Sequence, residues 1–64
     1  MDAQLHIPDL RKQYQGQFCK LDGQPAVICG RPGYALVYSH KQTAAYGWQA
    51  VAEIMRDKRG EFRA

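Results

Sequence analysis

Two histidines and two cysteines, His6, Cys19, Cys29 and His40, are the residue types in this sequence that could hold a transition metal. Structural zinc sites take ligands in close pairs, because one turn must present two of them at once. Here nine or more residues separate each ligand type from the next. That spacing argues against a metal, and each histidine reads as a surface or half-buried side chain. A nucleophile and its base are the next chemistry to look for. Ser39 and His40 are adjacent, and neighbours on a strand point apart, so they do not form such a pair. Among the carboxylates, Asp9 and Asp22 fit a cap and a turn. Glu53 and Asp57 are four apart on a helix face shared with Gln49 and Arg56, the pattern of a solvated face. GRPG at 30–33 lacks the spacing and the lysine of a phosphate loop. The expectation is a protein that is not an enzyme and uses neither metal nor cofactor.

Elements must position whatever remains, and the chain is short. Its 64 residues form one small domain, 1–64, with 45% hydrophobic and 23% charged residues. A core this size stabilises a fold by only a few kcal/mol. The opening MDAQLHIPDL has neither the basic start nor the apolar stretch of a secretory signal. No run approaches the roughly 18 apolar residues of a membrane span. A soluble cytoplasmic protein is expected, with both cysteines as thiols.

IPDLRKQYQG reads as a short helix over about 9–15, with Asp9 as N-cap, Leu10 and Tyr14 on one face, and Gly16 as the stop. Asp22-Gly23 between apolar runs is a hairpin signal. GRPG makes a second turn. The predicted fold is α+β: a three-stranded antiparallel meander over about 17–21, 25–29 and 34–39, packed by an amphipathic helix over about 44–59. In that helix Ala44, Trp48, Val51, Ala52, Ile54 and Met55 share one stripe. Thr43 could cap it and Gly60 would stop it. Gly47 marks either the helix start or a close contact.

A two-residue turn at Asp22-Gly23 pairs Leu21 with Gln24, Cys19 with Ala26 and Phe18 with Val27. Paired residues share a face and faces alternate, so Cys19 and Cys29 fall on opposite sides and no disulfide can join them. Pairing Cys29 with Tyr34 across GRPG puts Phe18, Val27, Cys29, Tyr34, Leu36 and Tyr38 on one face. Cys19, Leu21, Ala26, Ile28, Ala35 and Val37 lie on the other. Both faces are apolar, whereas a half-solvated sheet should alternate. One helix stripe covers one face. The second needs the N-terminal segment (Leu5, Ile7, Leu10, Tyr14), another molecule, or a sheet curled so that both faces are core. The aromatic face has the composition of an interface.

Net charge is +3 and the isoelectric point about 9.1, mildly basic rather than strongly polyanion-seeking. Arg56, Lys58, Arg59 and Arg63 near the end, with Arg11, Lys12, Arg31 and Lys41 elsewhere, could contact phosphates. Lys58 and Arg59 also suit the last turn of a helix, and Arg56 is interleaved with Glu53 and Asp57. Neither sheet face offers a cation beyond Lys20. The α-β-β-β-α order is similar to that of the double-stranded-RNA-binding domain, with HKQTAAYGWQAVAEIM where that family's second helix begins. That likeness lies in element order: the lysine-rich cluster the family carries at this helix start is reduced here to Lys41, and no family is assigned.

The function expected is that of a small binding module docking on a protein partner, with Phe18, Tyr34, Tyr38, Tyr46 and Trp48 as anchors. In kind it is similar to small phage or plasmid proteins that inhibit or regulate a larger nucleoprotein complex. Self-association as a homodimer is compatible with it. The alternative is weak, mainly non-specific nucleic-acid binding through the basic C-terminal end. No membrane and no small-molecule substrate is expected.

Overall fold

A computed structural model describes residues 7–64. Asp2, Leu5 and His6 lie outside the described residues. The elements run α1 (Ile7–Tyr14), β1 (Phe18–Leu21), β2 (Gln24–Arg31), β3 (Tyr34–Ser39), β4 (Thr43–Tyr46), α2 (Trp48–Asp57) and β5 (Glu61–Phe62). The strands form one sheet in the order β4-β3-β2-β1-β5. Its first four strands are an antiparallel meander, and β5 adds to β1 in parallel.

The first hairpin has the register its turn dictates. Asp22 and Gly23 sit at φ 51° and 83°, the double positive φ of a type I′ turn. Leu21 pairs with Gln24, Cys19 with Ala26 and Phe18 with Val27. The second hairpin is tighter than expected. Its turn is Pro32-Gly33, with Gly33 at φ 85°, the proline-then-glycine combination of a type II turn. Arg31 therefore pairs with Tyr34, and Cys29 with Leu36 rather than Tyr34. The shift is two residues, so every side chain keeps its face.

The larger correction concerns 43–46. These residues form strand β4, not the start of the helix, and α2 begins at Trp48 with Gly47 as its N-cap. Burial alternates along Thr43, Ala44, Ala45 and Tyr46, which is strand periodicity. The turn that returns β4 onto β3 is built by Ser39. Its hydroxyl accepts the Lys41 and Gln42 amides at 3.2 and 3.1 Å, and its own amide donates to Gln42 O at 2.8 Å. The element order is thus no longer α-β-β-β-α, and the likeness to the double-stranded-RNA-binding domain ends there. At the other end of α2, Arg59 (φ 56°) takes the first left-handed position and Gly60 the second. The Gly60 amide returns to Ile54 O at 3.0 Å, closing the helix. The chain then adds β5, whose Phe62 is buried.

The core lies on the face of Leu21, Ala26, Ile28, Ala35 and Val37, against Trp48, Val51 and Phe62. Both helices pack on this side. In α1, Leu10 is buried, and the helix approaches β2 at Gly30, where an added Cβ would lie 2.7 Å from Arg11 Cγ. Only a residue without a side chain admits the helix that closely. Asp9 stands in the first turn of α1 rather than before it.

The sheet curls around this core. Tyr46 on one edge strand stacks against Phe62 on the other, ring centroids 4.9 Å apart, and its hydroxyl donates to Arg63 O at 2.7 Å. Asp22 ties turns together: Gln42 Nε2 donates to one carboxylate oxygen at 2.6 Å and the Ala64 amide to the other at 3.1 Å.

Candidate functional site

Curling around one face makes the opposite face convex, and among the described residues no element covers it. Register arranges that face in transverse rows. Phe18, Val27, Tyr38 and Thr43 are direct partners across four strands. Cys29, Leu36 and Ala45 form the next row, and Arg31 and Tyr34 the last. On the other side of the Phe18 row lie Pro25, Lys20 and Glu61.

Phe18 is 86% exposed and Tyr34 42%. Val27, Cys29, Leu36 and Tyr38 are half-buried by one another. Together they make a contiguous apolar surface with Lys20, Glu61 and Arg31 at its rim. Beside Phe18 the surface dips into an open groove of about 350 Å³, walled by Pro25, Val27, Tyr38 and His40. The groove is shallow and almost wholly apolar, suited to a side chain rather than to a reaction.

Arg31 is the residue on this face that the sequence reading missed, because β2 runs two residues past its predicted end at 29. Its Nη1 donates to Cys29 Sγ at 2.8 Å and to Gly30 O at 3.1 Å. The hydrogen bond to Cys29 is the first cause of the guanidinium pKa being raised, with Tyr38 and Tyr34 contributing. Its backbone is fixed from below, since Trp48 Nε1 donates to Arg31 O at 3.1 Å. The head group therefore leans back over the apolar rows.

The expected anchors divide. Phe18, Tyr34 and Tyr38 are on the open face. Tyr46 and Trp48 are not: Tyr46 packs on Phe62 inside the curl, and Trp48 is 1% exposed in the core. Moving 43–46 from helix to strand turned the Tyr46 ring inward, while Trp48 is buried on the helix stripe that the sequence already showed. The two cysteines lie on opposite faces, and both are free thiols. Burial pushes the Cys19 thiol pKa up, which makes it a poor nucleophile. Ser39 is spent in its turn.

Arg56 pairs with its neighbour Asp57 at 2.9 Å, both well exposed. Lys58 and Arg59 sit at the end of α2 and Arg63 beyond β5. Lys41 lies in the β3–β4 turn. Comparison with protein families, with curated proteins and with solved structures finds no match to this chain.

Proposed function

We propose that this protein is a small docking module, which binds a protein partner through the convex face of its sheet and acts by covering what it binds. The observation that supports this most is Phe18. A large aromatic ring left 86% exposed at the end of a row shared with Val27 and Tyr38 gains little from the fold and most when desolvated by a partner. Tyr34 and Tyr38 flank it as rings with an apolar body and a polar tip. An inhibitor or regulator of a larger complex is the role such a module fits, because occupation of a surface is the means at its disposal.

The test is comparative capture with purified protein as bait, followed by direct titration of the recovered protein. Phe18→Ser should abolish binding while thermal melting stays nearly unchanged. Arg59→Gln with Arg63→Gln should leave it intact. The opposite pattern, binding of a short duplex that weakens with Arg59 and Arg63 removed and falls steeply with salt, would establish the nucleic-acid alternative instead.

A further inference from the structure

The open face also says what kind of partner it takes, given that it is a docking surface. A second copy of the chain fits poorly. The face is convex, so two copies meet along a strip. Its charges are also one-sided. Lys20 and Glu61 are direct cross-strand neighbours and offset each other. That leaves Arg31, whose Nη1 is spent on Cys29 and Gly30. No carboxylate among the described residues pairs with its remaining Nε and Nη2 donors. This edge of a guanidinium is the fork that receives a carboxylate in two parallel hydrogen bonds. It is held in place from three sides: by Cys29 Sγ, by Gly30 O, and through its own backbone by Trp48.

We propose that the face receives an extended segment of a partner protein that carries an apolar side chain and, three to five residues further along, an aspartate or glutamate. The apolar side chain enters the groove beside Phe18 and Tyr38, and the carboxylate meets Arg31. The spacing follows from the register. The groove lies between the Phe18 row and the Pro25 row, Arg31 stands four residues along the strand from the Phe18 row on the other side, and its head group leans back by up to one row toward Cys29, a separation of roughly 10–17 Å. An extended segment crossing it would advance about 3.3 Å per residue. A convex surface suits such a segment, which can drape over it without a matching concavity.

The experiment is selection of a displayed library of random peptides on the purified protein. Recovered sequences are then titrated against wild type, Phe18→Ser, Arg31→Gln, Arg31→Lys and Lys20→Gln. Both Phe18 and the Arg31 side chain are at the surface, so these variants fold. The proposal expects sequences that pair an aromatic or aliphatic residue with an acidic one at this spacing. Arg31→Gln should weaken them roughly tenfold, the scale of a hydrogen-bonded charge pair. Arg31→Lys should recover only part of that loss, and Lys20→Gln should change little. Peptides that need Phe18 but show no acidic preference, or bind Arg31→Gln equally well, overturn the carboxylate site while leaving the docking face standing. Peptides indifferent to Phe18→Ser sink the docking face as well. Binding of a single-stranded oligothymidylate that is lost in both Phe18→Ser and Arg31→Gln would overturn the proposal by making phosphate the anion and bases the stacking partner.

Discussion

Asp22 shows how much one side chain can do in so small a protein. Its φ of 51° makes the first turn, and its two carboxylate oxygens bind Gln42 and the Ala64 amide. These bonds favour the ionised form, Gln42 first and Ala64 next, so its pKa lies below the usual carboxylate value, which is about 3.9 in an unfolded chain. A depressed native pKa means the stabilisation is full above the unfolded value and is lost as pH falls through the folded one. Melting temperature should therefore drop between about pH 5 and pH 2. Asp22→Asn, which tolerates positive φ but cannot ionise, should melt lower at neutral pH and show a flatter acid limb. Asp57, also depressed, by Arg56, keeps some slope in the variant. Equal acid limbs in the two proteins would show that the Asp22 contacts do not persist in solution.

At the scale of elements, the parts legible in the sequence are those with local turn chemistry. Asp22-Gly23 allowed the first register to be derived residue by residue, and the faces of residues 18–21 and 24–29 followed from it; the pairing read across GRPG was off by two residues and so still placed β3 on the right faces. What was not legible is equally specific. SHKQ contains no glycine or proline, so the Ser39 turn that makes β4 left no familiar mark. Thr-Ala-Ala-Tyr is as good a helix start as a strand, and pairing with β3 decides it. Phe62 became core only through a two-residue parallel strand, too short to be seen in one dimension. The docking face was legible in its composition. Its composition did not tell which face the helices would cover. The short helix α1 owes its place to Leu10 and to the gap at Gly30 rather than to helix propensity. Gly30→Ala should push Arg11 and Gln15 away and loosen α1. Hydrogen exchange should then show faster exchange in α1 with β2 and β3 nearly unchanged. Uniform destabilisation would mean that α1 and the sheet open as one unit.

For the whole molecule, two aromatic substitutions should separate folding from binding. Trp48→Ala removes the largest buried side chain, a loss of about 3–5 kcal/mol. That is comparable to the entire stability expected for a domain of this size, so the variant should be unfolded by circular dichroism at room temperature. Phe18→Ser exposes nothing that was buried and should change stability by no more than about 0.5 kcal/mol. It should also lessen self-association at high concentration, read by light scattering, because it removes the most exposed ring of the open apolar surface. If Phe18→Ser unfolds the protein, the convex face is not open in solution.

Along β2 the residues alternate: Ala26 and Ile28 hold the core, while Val27, Cys29 and Arg31 face outward. Strands β1 and β3 alternate in the same way. Positions that decide whether the chain folds are thus interleaved one for one with positions that would decide what it recognises, if the proposed docking face is used. A lineage carrying this chain could drift at every second residue of the sheet, tracking a changing target, without ever passing through an unfolded intermediate.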